Sequence, residues 1–451
     1  MFDKVYIKKL VIENSPFLIV LIGIALVTFS IGPYQNYDTD LEFEAASNVV
    51  KTGMPFVKEF GVINQPPLGF YTEALLFKAF GFSVNVGTAF VTLFGLGSVV
   101  AVYLLGKELY GKSTGLFAAA LFGLCPWQLI LSRSFLIDAQ CLFLSLLCLY
   151  VGILAIKKNS TNLTLVAGVL FAAAAMTKLY AVFMLLPLLV LYLYSKPKNV
   201  KRIATQLAFF IVPIVVSALV WYQFVLGTGI LSIFGHHDFN SKIPAGVVPS
   251  YFFVLTFLND YGIGFLFIIA TVFSLLVCFS FRKQFAKILI FDIICLAIII
   301  VILGVNLFLV AGLNLNVPYI SALKYDYQAL PFFCLIVASL TFKSISLFKL
   351  AKAEAKLKRT LLYLAAFSGV FLLVGSLLFN IAYAHGITSL NYLFFRAQRY
   401  VNYGFGLFNY TPTSIDSPLM FLQYLGFVLA LSGLVLASRH KLRYFFKRGN
   451  V

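Results

Sequence analysis

Charge is scarce in this sequence. Of 451 residues only 34 are Lys or Arg and 16 are Asp or Glu, 11% together, while 61% are hydrophobic and the mean hydropathy is +0.97. A soluble domain carries roughly a quarter of its residues as charges, so a row of soluble domains of about 150 residues each is excluded. The chain reads as an integral membrane protein. Closely spaced metal-ligating cysteines are also lacking. Cys125, Cys141, Cys148, Cys278, Cys295 and Cys334 all fall in apolar stretches, which argues against a disulfide framework or a zinc site. No small-residue cleavage pattern separates the first apolar run from Pro33, so that run is expected to be a retained helix. No strong internal repeat is visible, and the inverted repeats common in transporters find no support.

What is present is a succession of apolar runs. A bilayer core of about 30 Å needs about 20 apolar residues per helical crossing, and twelve such runs are predicted near 16–33, 84–106, 114–131, 134–156, 163–177, 179–194, 203–226, 261–281, 288–311, 328–348, 361–384 and 418–438. Only Lys178 interrupts the apolar stretch from Leu163 to Tyr194, whose length suits two short tilted crossings better than one.

The distribution of charge tests this count. With the N-terminus cytoplasmic, 25 of the 34 basic residues fall in cytoplasmic segments and 11 of the 16 acidic residues fall outside. The net charge of +18 is thereby largely a topology signal, and a nucleic-acid partner is excluded. Nine cations remain on the outer face: Lys51, Lys58, Lys78, Arg133, Lys178, Lys242, Lys324, Arg396 and Arg399.

External connections are long, near 34–83, 227–260, 312–327 and 385–417, whereas cytoplasmic ones are short and basic. Long ordered loops on one face usually carry function. In the first loop, Leu41 to Val50 is predicted as a helix with Leu41, Ala45 and Val49 on one stripe. Gly69 to Phe80 is predicted as a second, with Phe70, Ala74 and Phe77 recurring at helical spacing. Both can lie flat at the interface, joined by the rigid turn Asn64-Gln65-Pro66-Pro67-Leu68.

Polar residues near the outer boundary are the candidates for chemistry. Asp38, Asp40 and Glu42 directly follow the first helix, where a carboxylate can act as a general base or bind a divalent cation, or can simply complement a helix N-terminus. Arg133 can grip a phosphate through its planar fork with Asp138 orienting it, or can snorkel to lipid headgroups with Asp138 as a structural partner. Lys178, so placed, is costly unless it reaches an anion, so it can contact a phosphate or snorkel to lipid headgroups. Tyr325, Arg396 and Arg399 are further substrate-binding candidates, the two arginines, at i and i+3 on one helical face, having simple headgroup anchoring as the plainer alternative. His236 and His237 are candidate metal ligands, against the plainer alternative of a polar turn.

These residues taken in order resemble a known family. The Asp-containing segment, the stretch ending Thr52-Gly53-Met54-Pro55, the Gln65-Pro66-Pro67-Leu68-Gly69 turn, Phe80-Gly81, Tyr110-Gly111, the link from Ser132-Arg133 to Asp138, Met176-Thr177-Lys178 and Pro187 are together similar to the first part of dolichyl-phosphate-mannose-dependent protein mannosyltransferases and of bacterial aminoarabinose lipid A transferases. The resemblance spans roughly residues 30 to 190. It implies an all-α polytopic bundle of GT-C architecture, with residues 1–200 as the core and 201–451 as further crossings. It also implies a catalytic Asp at the start of the first external loop and basic residues holding a polyprenyl phosphate. Counted back from Gly53, the family's Asp falls on Asp38, with Asp40 second. Two departures stand out: Thr39 follows Asp38 where the family often has Glu, and Gln65 occupies the place of a lysine found in the aminoarabinose transferases.

The expected activity is therefore transfer of a sugar from a polyprenyl-phosphate donor to a protein, lipid or glycan acceptor at the outer face, with inversion. Nucleotide sugars stay in the cytosol, so an outward-facing enzyme needs a donor delivered through the membrane. A divalent metal ion is the candidate cofactor. A multi-pass location in a prokaryotic plasma membrane, both termini cytoplasmic, is expected. A twelve-helix transporter or lipid flippase, and a lipid or polysaccharide ligase of related fold, are the competing classes.

Overall fold

The computed structural model describes residues 4–30, 37–58, 61–63, 65–195, 200–229, 272, 276–277, 291–304, 327–347, 356–384 and 417–447. They form α1 (Lys4–Ser30), α2 (Tyr37–Thr52), β1 (Phe56–Val57), β2 (Gly61–Val62), α3 (Leu68–Phe80), α4 (Val84–Tyr110), α5 (Lys112–Gly123), α6 (Pro126–Ser132), α7 (Asp138–Lys158), α8 (Thr161–Thr177), α9 (Leu185–Tyr194), α10 (Val200–Ala218), α11 (Phe291–Gly304), α12 (Leu330–Leu347), α13 (Lys356–Ala384) and α14 (Ser417–Lys447). The expected all-α membrane architecture is what the described residues show, apart from one two-residue hairpin, β1 with β2.

Among the described residues four segments are long and apolar enough to cross a bilayer: Val84–Tyr110, Asp138–Lys158, Val200–Val225 and Tyr327–Ile345. Shorter apolar helices at Asn14–Ser30, Thr161–Thr177, Leu179–Leu193, Phe291–Gly304, Leu362–Leu378 and Phe421–Ala437 occupy six more of the expected runs. The run at 114–131 is divided. Pro126 lacks the N–H needed to continue α5 and instead opens α6 at its first position, where that donor is not required. The run at 261–281 lies outside the described residues except for Val272, Leu276 and Val277.

The core is built around α4, α5, α7 and α12, with α8 and α10 layered beyond α7 and α13 packed on α12. The first and last described helices pack together, α1 lying along α14. Their backbones touch: a Cβ at Gly23 would sit 2.4 Å from the Gly426 carbonyl oxygen, so this crossing admits only glycine. By contrast α10 and its π-helical continuation, Leu219–Val225, leave Val212, Val216, Val220 and Phe224 exposed, as a lipid-facing helix would.

At the far end of α4 from the first loop, Lys343 pairs with Asp292, both buried. Lys343 counts among the cytoplasmic cations in the charge tally, yet it is held inside the bundle, where only an opposite charge offsets its desolvation. Cys125, Cys141, Cys148, Cys295 and Cys334 are buried free thiols.

Candidate functional site

The first-loop helix begins earlier than its apolar stripe predicts. It starts at Tyr37 rather than Leu41, so Asp38 and Asp40 belong to its first turn, and it runs on to Thr52. Helical spacing then sorts the four acids into two pairs, Asp38 with Glu42 and Asp40 with Glu44, each four residues apart. Glu42 is buried and accepts a 2.8 Å hydrogen bond from the Ile137 N–H at the N-terminus of α7. A carboxylate there gains both the hydrogen bond, about 1.5–3 kcal/mol for a charged acceptor, and the positive end of the helix dipole. Glu44 instead accepts from the Lys58 N–H at 2.9 Å and holds the β-hairpin. Asp40 is exposed, and partial desolvation raises its carboxyl above the ordinary value.

The second loop helix matches its expected bounds within a residue and buries Phe70, Ala74 and Phe77. It is fixed near its N-terminal end. The Tyr71 hydroxyl donates to the Gly53 carbonyl at 2.6 Å, and its ring meets Trp221 edge-on at 5.8 Å. Thr72 donates to the Gln140 Oε1 of α7 at 2.9 Å. Gln65 is half-buried in the turn that leads into α3.

The link from Arg133 to Ile137, between α6 and α7, is pinned from above. Phe135 is fully buried, stacked on Phe77 at 5.7 Å and edge-on to Phe43. A Cβ on Gly87 would come within 1.9 Å of the Phe135 ring, so α4 admits this ring only because residue 87 is glycine. Arg133 Nη1 donates to the Thr92 hydroxyl at 3.1 Å, and its guanidinium lies 5.7 Å from the Phe29 ring centroid.

Asp138 opens α7 and is 1% exposed. Both its oxygens accept from Lys178 Nζ at 2.8 Å. Lys178 ends α8 in an extended conformation just before the 3₁₀ turn Leu179–Met184, so the predicted break in the long apolar stretch is real. Glu42 from α2 and Lys178 from the end of α8 thus meet at the start of α7, at Ile137 and Asp138, with Asp38 one helical turn before Glu42 and Arg133 five residues before Asp138 in the α6–α7 link. The pairing of Asp138 is with Lys178, forty residues on, rather than with Arg133, five residues away.

One buried acid escapes the sequence reading. Glu73 lies on the buried stripe of α3, 1% exposed, and its Oε2 has no hydrogen-bond partner among the described residues. Burial, then the neighbouring charge of Glu42, pushes its carboxyl well above the ordinary value. The signal was available: an acid at helical spacing between Phe70 and Phe77 sits on the apolar face. Because the folded value is raised, Glu73 favours the fold fully below about pH 4.5 and loses that contribution as pH rises through its folded value. Thermal unfolding followed from about pH 4.5 upward is expected to show this decline, and Glu73→Gln, a neutral isostere, is expected to flatten it.

Tyr325, Arg396, Arg399, His236 and His237 lie outside the described residues. Among the described residues no three His, Cys, Asp or Glu side chains gather in a way that could hold a metal ion.

Residues 64–222 match the family of dolichyl-phosphate-mannose-protein mannosyltransferases. That match begins beyond Asp38 and Asp40 and reaches past residue 190, through the end of α10. YkcB and YycA of Bacillus subtilis (strain 168), which carry mannosyltransferase names, are 28% and 29% identical to the chain over 166 residues, 36% of its length. Those matches span only 23% and 24% of the two relatives. The crystal structure of ArnT from Cupriavidus metallidurans in the apo state aligns over 92% of this chain and 76% of its own, with a TM-score of 0.54 and 13% identity. The same protein bound to undecaprenyl phosphate aligns over 94% and 76%, with a TM-score of 0.51 and 13% identity. Over residues 64–222 the chain is similar to that family, and its fold is that of the ArnT structures.

Proposed function

We propose that the chain is a membrane glycosyltransferase that moves a sugar from a polyprenyl-phosphate carrier to an acceptor on the external face, in a bundle of twelve crossings with both termini cytoplasmic. Residues 1–200 supply the catalytic core in this reading and 201–451 complete the bundle. The observation that carries it is the convergence of α2, the α6–α7 link and the end of α8 on one patch, where a phosphate would meet two cations and an acceptor would meet an acid. The isoprenoid tail lies between helices, and the phosphate stays at the interface against Arg133 and Lys178. Asp138 fixes the lysine ammonium.

Asp38 takes the proton of an acceptor hydroxyl as its oxygen bonds to the anomeric carbon. The bond from that carbon to the phosphate oxygen breaks, and polyprenyl phosphate leaves with the electron pair. One displacement inverts the anomeric configuration. Asp38 rather than Asp40 is chosen because it lies one turn from Glu42, the residue that docks α2 on α7. Arg396, Arg399 and Tyr325 are proposed as further substrate-binding residues.

Net transfer of sugar from undecaprenyl-phosphate-linked donors, measured in detergent with no sealed compartment, tests this reading. Product formation is expected. Movement of lipid or solute that appears only in sealed vesicles, with no transfer in detergent, would assign the chain to the transporters.

A further inference from the structure

We propose that Thr92, Gln128 and Tyr327 are positioning residues that hold the Arg133 guanidinium for an anionic lipid phosphate, through a buried hydrogen-bond chain crossing the bundle from the 3₁₀ turn Tyr327–Ala329, which leads into α12, to the α6–α7 link. The inference rests on the reading of Arg133 as a phosphate ligand.

The chain can be followed atom by atom. The Tyr327 hydroxyl donates to Gln128 Oε1. Gln128 Nε2 donates to the Gly95 carbonyl at 2.9 Å and to the Ser132 hydroxyl at 3.0 Å, so every hydrogen-bonding position this amide uses fixes its orientation. The Thr92 hydroxyl donates to the Ser132 carbonyl at 2.8 Å and accepts from Arg133 Nη1 at 3.1 Å. Tyr327, Gln128, Ser132 and Thr92 are each no more than 2% exposed. Gly95 belongs to the same design: a Cβ there would lie 2.0 Å from Ser132 Oγ and displace the chain's middle link.

Two physical points separate this chain from ordinary packing. Polar groups buried among apolar helices are costly unless each finds a partner, and a well-packed apolar side chain at the same place would serve stability at least as well. The chain also has a direction. It terminates on a guanidinium that is half-buried and not sealed in. A rigid acceptor at Thr92 holds the arginine fork in one orientation, which lowers the ordering cost when a phosphate arrives.

The test is binding of undecaprenyl phosphate to the full-length protein in detergent, by titration, with thermal unfolding recorded for every variant. Arg133→Ala is expected to weaken binding. Thr92→Val and Gln128→Leu are expected to weaken it about tenfold in the wild-type background and to add nothing in the Arg133→Ala background, the signature of residues that act through one another. Thr92→Ser, which keeps the acceptor, is expected to restore most of the affinity. Losses that multiply undiminished on top of Arg133→Ala would overturn the positioning role while leaving the phosphate site standing. Undiminished binding by Arg133→Ala would remove the phosphate site itself, and the inference with it.

Discussion

Asp38→Asn is expected to lower sugar transfer by about 10²–10⁴-fold, the range that general-base catalysis supplies, while the protein still inserts, folds and binds polyprenyl phosphate. Asn keeps the size of Asp but cannot take the acceptor's proton, so the loss should appear in kcat far more than in donor KM. Asp40→Asn is the internal control. Asp40 is exposed and four residues before Glu44, which is occupied with the Lys58 N–H, so its loss is expected to change transfer little. The two rates are measured by donor turnover in detergent at saturating acceptor. Equal and full activity in both variants would leave the reaction without its base.

The second large effect concerns the pair that no local reading of the sequence could form. Lys178→Met strands the Asp138 carboxylate, 1% exposed, without its bidentate partner. Breaking a buried pair in this way costs about 3–5 kcal/mol, most of it the penalty of the unpaired charge. Stability to heat should therefore fall sharply. The double variant Lys178→Met/Asp138→Asn removes both charges and is expected to regain most of that stability, because a neutral packed pair is no worse than the ion pair it replaces. Activity should behave differently, staying low in the double variant because the cation for the phosphate is still missing. Thermal unfolding and turnover on the same preparations separate the two roles. Parallel recovery of stability and activity would make the pair purely structural.

The sequence shows its membrane class directly, because 11% charge admits no alternative, and shows the break at Lys178 because a lone cation in an apolar stretch has to surface somewhere. Its helix boundaries were less legible. An apolar stripe starting at Leu41 marks where α2 is buried, but the backbone becomes helical at Tyr37, and that one extra turn gives Asp38 and Asp40 different neighbours. Pro126 could have been read as the start of a new helix, yet the apolar run continues across it.

The site's supporting shell was the hardest part to foresee. Gln128 and Thr92 look like isolated polar residues within crossings until α4 and α6 are packed together, and Tyr327 reaches Gln128 across 199 positions of sequence. Periodicity reports which face of a helix is buried, not which polar group it meets there. Glu73 shows the remaining possibility, a residue whose position on an apolar face announced it and whose neighbour, Glu42, emerged only from the packing of α2 on α3.

The most direct measurement is a structure of the protein with undecaprenyl phosphate bound. The phosphate is expected within hydrogen-bonding distance of Arg133 or Lys178, on the side of the bundle where α2 meets α7. A phosphate bound instead at the opposite end of α4, beside Lys343 and Asp292, would contradict the account.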